Sequence, residues 1–305
     1  MKILITGSTG LLGQALLRRL SPSADVTGLS RQAPSTAGGG PADAAGHVAC
    51  DLRDTARTAA VVRGLSPDVV IHAQAMSDVD RCELDPQAAW EQNVRTLEHV
   101  VTALDARRTW LVGIGSDYVF DGKKGSPYDE ADAPNPLGVY GRAKLAAEQA
   151  TLRFPRSVVV RTSTLFGAGR MNFCDHIVAQ VTAGQPVDAF TDQVTSPTST
   201  EDLAEALAEL VEALGRIGDG PVPRLLHITN AGSASRVAFA ERVADLLQAP
   251  RGLIRRIRMA DQHRPAPRPA CTAMASRHLQ SILGRTLRPW DEAVQAYLRQ
   301  RRWLN

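Results

Sequence analysis

The sequence predicts an α/β protein: a doubly wound parallel sheet of the Rossmann kind with a smaller, mixed C-terminal portion. Three observations predict it. The first apolar run, K-I-L-I-T at 2–6, leads directly into T-G-S-T-G-L-L-G at 6–13, a glycine turn between a strand and a helix. Short continuous apolar runs then alternate with helical spacing through the first half, as expected of strands covered on both faces. After Thr162 the texture changes to helices separated by brief strands and proline-rich loops.

Leu11 to Leu20 has helical spacing, and D-V-T-G-L at 25–29 reads as the second strand. The small, flexible stretch at 35–46 reads as a loop. H-V-A-C (47–50), D-V-V-I-H (68–72), T-W-L-V-G (109–113) and S-V-V-V-R (157–161) follow as strands, with helices between them, most clearly Pro86 to Leu104. The second half predicts helices near 173–183, 200–214 and 235–248, a rigid extended loop at R-P-A-P-R-P-A (264–270) and a terminal helix from Trp290 to Leu304. The expected division is residues 1–162 for the dinucleotide and the catalytic groups, and 163–305 mainly for substrate, packed over the carboxyl edge of the sheet.

Composition excludes several classes. With 305 residues, 44% hydrophobic and 22% charged, the chain can bury a substantial core. The formal net charge of +3 comes almost entirely from arginines spread along the chain, so no nucleic-acid partner is expected. R-R-I-R at 255–258 is interleaved with apolar residues and reads as a strand edge. Cys50, Cys82, Cys174 and Cys271 form no C-x-x-C, and no H-x-x-x-H pair occurs, which argues against a disulfide framework or a structural metal. Met1 runs straight into the first strand and no apolar run reaches membrane-spanning length, so the expected setting is cytoplasmic, with no membrane partner.

The glycine turn suits a pyrophosphate. Gly7 permits the tight strand-to-helix turn, Gly10 lets a diphosphate approach the backbone, and Gly13 allows close helix packing. Thr9, Leu11 and Leu12 share the turn and the first helical positions, where free N–H groups and a partial positive charge favour an anion. The second strand ends in L-S-R (29–31) with no acid for a ribose hydroxyl. Ser30 and Arg31 suit a 2′-phosphate instead, which predicts NADP(H), with NADH as the weaker alternative. Asp51 and Leu52 are placed at the adenine edge, a helix cap being the competing role for Asp51. Ala73, Gln74 and Ala75 follow the fourth strand and lie against the dinucleotide.

V-Y-G-R-A-K at 139–144 puts Tyr140 and Lys144 one helical turn apart. With four tyrosines and four lysines in the chain, roughly 0.05 such pairs are expected by chance. A carbonyl receiving hydride gains charge on oxygen and needs a proton donor. A lysine ammonium ~4 Å from a phenol would favour the phenolate by up to roughly 4 kcal/mol, about three pKa units. Lys144 is therefore expected to make Tyr140 acidic, and to reach the nicotinamide ribose. Ser116, in G-I-G-S-D-Y-V-F-D-G (113–122) after the fifth strand, is the hydroxyl expected to orient the carbonyl.

T-G-x-x-G-x-x-G, S-D-Y-V-F-D-G, Y-G-x-x-K and D-Q-x-x-S-P-T together resemble the extended short-chain dehydrogenase/reductases, and among them the dTDP-4-dehydrorhamnose reductases. The resemblance runs almost the whole chain, including V-I-H-A-Q-A-M-S-D-V-D-R-C-E (70–83), S-P-Y-D-E-A-D-A-P-N-P-L-G-V-Y-G-R-A-K (126–144), R-T-S-T-L-F-G (161–167), N-F (172–173) and A-P-R-P (266–269). It implies a catalytic set of Ser116, Tyr140 and Lys144, with Asn93 supporting the active-site backbone beside the cofactor. It also implies that Ser77, Val79, Asn172 and Arg268 face a sugar nucleotide, that Thr164 stands near the sugar where many members have Trp, and that Asp117 and Tyr118 lie with Ser116 on the substrate side. The function implied is NADPH-dependent reduction of the 4-keto group of a nucleotide-activated 4-keto-6-deoxyhexose, with a homodimer as the candidate assembly. A dehydratase or epimerase fits less well, because Ser116-Asp117-Tyr118 lacks the Asp-Glu pair that dehydratases place there. A cofactor-binding regulatory subunit resembling the β subunit of methionine adenosyltransferase is the non-catalytic alternative.

Overall fold

The computed structural model describes residues 1–32, 46–217 and 222–304, so the loop expected at 35–46 lies, Gly46 apart, outside the described residues. The first six strands are β1 (Lys2–Thr6), β2 (Asp25–Ser30), β3 (Gly46–Ala49), β4 (Val69–His72), β5 (Trp110–Ile114) and β6 (Ser157–Arg161). Short strands follow: β7 (Leu165–Phe166), β8 (Val187–Phe190), β9 (Val194–Thr195), β10 (Thr198–Ser199), β11 (Leu225–His227), β12 (Ala234–Ser235) and β13 (Ile254–Ile257). The central sheet is wholly parallel in the order β3-β2-β1-β4-β5-β6-β11. Strand order reverses between β1 and β4, and a crevice forms outside their carboxyl ends.

Period-two alternation sorts the side chains of β1. Ile3 and Ile5 face a core shared with α1 (Leu11–Leu20), α8 (Thr200–Ile217) and α10 (Leu279–Leu283). Leu4 faces the opposite core, shared with α2 (Thr55–Leu65), α5 (Thr96–Val101) and α6 (Val139–Arg153). The doubly wound arrangement is thus present. The chain beyond Thr162 returns to it, because β11 extends the sheet next to β6 and α8 packs along α1. Arg18 and Arg19 of α1 pair there with Glu201 and Glu205 of α8.

A third core binds the smaller, mixed portion. Phe166, Ile177, Phe239 and Tyr297 bring together α7 (Phe173–Thr182), α9 (Arg236–Leu246) and α11 (Trp290–Gln300). β13 pairs with β8 as an edge, and Arg255 and Arg256 reach Asp188 and Glu241, so R-R-I-R is a strand edge as expected. The terminal helix stops at Gln300, short of the expected Leu304. The helix expected over 86–104 runs continuously from Pro86 to Val101 after α3 (Val79–Leu84): α4 (Pro86–Trp90), one wide turn at Glu91–Arg95 with i→i+5 bonding, and α5. Such turns recur at functional sites, and this one carries Asn93. All four cysteines are free. Among the described residues, no helix is long and apolar enough to cross a membrane, and no three His, Cys, Asp or Glu side chains group to hold a metal.

One buried ion pair underlies the sheet's carboxyl edge. Arg161 and Glu148 are 1% and 5% exposed and meet in two parallel bonds of 2.8 and 2.6 Å. Breaking a buried pair strands one charge and costs about 3–5 kcal/mol. Glu148→Ala is expected to lower the free energy of chemical unfolding by that amount, whereas Glu148→Ala combined with Arg161→Leu loses less. A loss under about 1 kcal/mol for the single variant contradicts this.

Candidate active site

The glycine turn is pinned between β1 and its neighbours. Gly7 has φ +69°, and a Cβ there would stand 2.7 Å from Gln74 Cα on the β4 side of the crevice. Its N–H and that of Ser8 donate to the Leu29 carbonyl at the end of β2. A Cβ on Gly13 would lie 2.3 Å from the Gly7 carbonyl oxygen, so only glycine lets α1 start this close to the turn. Gly10 is the N-cap of α1 and offers no side-chain cap, and no acid occupies the first turn. The first N–H groups, those of Leu11 and Leu12 among them, are left for an anion. Thr9 closes the turn by accepting the Gln14 side-chain amide on its carbonyl.

Along the carboxyl ends of β2 to β4 the expected cofactor residues have mixed placements. Ser30 is buried, donates to the Gln32 carbonyl at 2.7 Å and pairs with His47 Nε2 at 2.8 Å, so its hydroxyl already has partners. Arg31 is exposed and close enough to Asp51 to lower its pKa, although Arg53 is the larger cause. Asp51 does not cap α2. Asp54 does, accepting from the Arg57 N–H, while Asp51 folds onto Arg53 at 2.6 Å. Leu52 is buried, with its carbonyl bonded to His99. Ala73 and Ala75 are half-buried beside Gln74, whose Oε1 accepts from Thr96 on α5. His72 is buried under this loop and bonded to Thr6, and burial together with Lys144 holds its pKa down to about 3, so the ring is neutral.

Ser116, Tyr140 and Lys144 converge at the carboxyl end of β5. Ser116 accepts the Tyr118 N–H at 3.2 Å and lies close enough to the Tyr140 hydroxyl to lower its pKa. Tyr140 packs with Met76, Cys82 and Val139, and its ring stands edge-on to Tyr118 at 5.5 Å. Lys144 is buried, and its ammonium donates to the Ile114 carbonyl at 2.6 Å.

The expected acidification of Tyr140 by Lys144 is not what the structure shows. Burial pushes the phenol well above its ordinary pKa, and Ser116, not Lys144, is the group that pulls it back. The reason is geometric: the ammonium is engaged by the β5 carbonyl and by Glu148, one turn on. Burial lowers Lys144 to about 8, and Glu148 opposes that shift. Tyr140 is therefore held in its protonated, proton-donating form.

Four further expected residues have defined partners within the protein. Asn93 accepts the Met76 N–H at 2.7 Å and donates to the Met76 carbonyl at 3.2 Å, so it braces the backbone after β4, as the resemblance implies. The Asp117 carboxylate points inward and accepts from Ser163, Thr272 and Ser116 at 2.7, 2.6 and 3.2 Å; it fixes the Ser116 turn in place of facing substrate. Asn172 caps α7 in a reciprocal box with Asp175 and donates to Gly167 at 2.9 Å. Arg268 is held in a two-point pair with Asp80 of α3 at 2.8 and 2.7 Å.

Ser77 is exposed and Val79 half-buried at the start of α3. The Tyr118 hydroxyl accepts from Gln193 at 3.3 Å. Thr164 has φ +36°, a strained conformation for a β-branched residue, and its hydroxyl donates to Thr195 at 3.0 Å.

Three residues escaped sequence reasoning. Glu83 accepts the Val139 N–H at 2.8 Å, supplying to α6 the cap that Gly138 cannot, and so holds the helix carrying Tyr140. Gln193 and Arg236 sit beside Tyr118. Gln193 lies within D-Q-x-x-S-P-T and could have been singled out there; Glu83 and Arg236 carry no local signal.

Comparison with known proteins matches the chain along nearly its whole length. The family model described as RmlD substrate binding domain matches residues 1–302. The dTDP-4-dehydrorhamnose reductase of Mycobacterium tuberculosis is 36% identical over 81% of each chain. The probable dTDP-4,6-dihydroxy-2-methyloxan-3-one 4-ketoreductase of Streptomyces antibioticus is 34% identical over 97% of this chain and 94% of its own. The crystal structure of the Bacillus anthracis dTDP-4-dehydrorhamnose reductase in complex with NADP shares the fold, with a TM-score of 0.86 at 24% identity over 98% of this chain and 99% of that one. With its glycine turn, its Ser116/Tyr140/Lys144 cluster and this match along nearly its whole length, the chain belongs to the RmlD family, that of the dTDP-4-dehydrorhamnose reductases.

Proposed function

We propose that the protein is an NADPH-dependent oxidoreductase of deoxysugar biosynthesis, reducing the 4-keto group of a dTDP-activated 4-keto-6-deoxyhexose. The observation that carries this reading is the protonated phenol of half-buried Tyr140, brought together with Ser116 and Lys144 at the carboxyl end of β5. The uncapped start of α1 and the glycine cradle fit a dinucleotide diphosphate. NADPH, when bound, supplies the hydride. Ser116 orients the carbonyl oxygen, and Tyr140 gives it the proton. Lys144 places positive charge next to the oxygen as negative charge develops there. Asn93, Asp117 and Glu83 keep the β4 loop, the Ser116 turn and α6 in register. Residues 1–162 supply the cofactor and catalytic groups, and 163–305 supply mainly the substrate side while returning β11 and α8 to the sheet.

The test is a panel of dTDP-4-keto sugars, covering the substrates of both named relatives, with NADPH oxidation followed by absorbance. Oxidation that depends on one sugar is expected. Tight NADPH binding with no oxidation across the panel points to the regulatory-subunit reading.

Exposed Arg31 is the group we assign to the 2′-phosphate. Arg31→Ala is expected to raise the NADPH KM about tenfold, the scale of one lost charge-assisted bond, and the NADH KM less than about twofold. Equal effects on the two cofactors would remove the assignment.

A further inference from the structure

We propose that Arg236 is a binding residue for the diphosphate of the nucleotide sugar, completing an anion site with Arg264 and Arg268. The inference rests on the substrate class assigned above. Arg236 is the first residue of α9, directly after the capping Ser235. Its guanidinium lies over the Phe173 ring at 5.1 Å, and its Nε donates to Gln193 at 3.3 Å. Gln193 is 3% exposed and sends its other amide atom to the Tyr118 hydroxyl at 3.3 Å. Tyr118 in turn stands edge-on to Tyr140 at 5.5 Å. One relay of side chains thus leads from Arg236 to the proton donor.

What Arg236 lacks is an anionic partner in contact. Arg236 interacts electrostatically with Tyr118, Asp117, Arg264 and Arg268. Asp117 is turned inward onto three hydroxyls. Asp80 holds Arg268 at 2.7 Å and lies 4.0 Å from Arg264. Among the described residues Arg236 has no ion-pair partner, and its one side-chain hydrogen bond runs to a neutral amide. A guanidinium stays charged in a protein, and enclosing that charge without an anion is unfavourable. Asp80, with Asp78 near it, offsets Arg268, and neither forms an ion pair with Arg236. A diphosphate diester carries two negative charges, with oxygens spaced for the guanidinium fork. A nucleoside or a neutral sugar would leave Arg236 unpaired.

The experiment measures binding of dTDP and of thymidine 5′-monophosphate by calorimetry, apart from turnover, with wild type, Arg236→Gln and Arg236→Lys. Arg236→Gln is expected to weaken dTDP about 10- to 100-fold, the range for removing one charged hydrogen-bonding partner, and to weaken the monophosphate less. KM for the keto sugar rises by the same factor with kcat within about threefold, NADPH affinity stays at the wild-type value, and the melting temperature of the free protein does not fall. Arg236→Lys keeps the charge, loses the fork and weakens dTDP only about 3- to 10-fold; it carries the test if the Gln variant does not fold. A folded Arg236→Gln protein that binds dTDP like wild type overturns the proposal. Wild type that binds NADPH but not dTDP removes the substrate class itself, and the proposal with it.

Discussion

Tyr140→Phe is expected to lower kcat by about 10²- to 10⁴-fold, the range for removing a positioned proton donor. NADPH affinity should stay within about twofold. The variant deletes one oxygen and leaves the ring, so its packing against Met76, Cys82 and Val139 and its edge-on contact with Tyr118 are kept. The Ser116 hydroxyl keeps its bonds to Asp117 and the Tyr118 N–H. Ser116→Ala should be milder, because a carbonyl without its orienting hydroxyl can still be protonated. A Tyr140→Phe enzyme within tenfold of wild type would mean that the proton comes from elsewhere, with Tyr118 the nearest phenol.

Lys144→Met should abolish turnover and yet relieve the folded protein near neutral pH. Burial lowers the ammonium from 10.5 to about 8. Below pH 8 the group is charged in both folded and unfolded chains, and the folded state bears the desolvation cost, roughly 3 kcal/mol. The cost fades as pH rises from 8 to 10.5, where the folded protein has released the proton and the unfolded chain has not. Against it, Lys144→Met leaves the Ile114 carbonyl without its 2.6 Å donor, a loss of about 1–3 kcal/mol. At pH 7 the variant should be as stable as wild type or up to about 2 kcal/mol more stable. As pH rises past 10 it should become the less stable of the two. A stability difference that does not change with pH would show that Lys144 is not charged and buried as described. In wild type, kcat/KM should fall as pH rises through about 8, because the free enzyme loses the Lys144 charge there.

What the sequence disclosed was local. The run from β1 through Gly7, Gly10 and Gly13 into α1 is a continuous pattern, and each glycine meets the close contact its place in the turn demands. The four-residue spacing of Tyr140 and Lys144 is legible for the same reason: one helix sets it. What the sequence hid was made by distant parts of the chain. The pKa of Tyr140 depends on packing by residues 60 or so positions earlier, which desolvate the phenol more than a lysine on its own helix can offset. Glu83 reaches α6, and Asp117 reaches Thr272, across 56 and 155 residues. In D-L-R-D both acids fit a cap, and only the observed turn gives that role to Asp54 and folds Asp51 onto Arg53. The helix expected over 86–104 follows apolar spacing, which does not register the wide turn from which Asn93 reaches Met76. β11 has three residues, too short for a periodic signal, and it is placed by pairing with β6.

The most direct test of the account is the fate of isotope from the cofactor. With NADPH deuterated at the transferable position of C4 and a dTDP-4-keto-6-deoxyhexose as substrate, wild type should place one deuterium on the sugar's C4 carbon, with a solvent proton on the oxygen. Tyr140→Phe should place almost none in the same time. Recovery of the keto sugar without deuterium, while the protein binds both ligands, would contradict the claim that this crevice delivers hydride and proton to a sugar carbonyl.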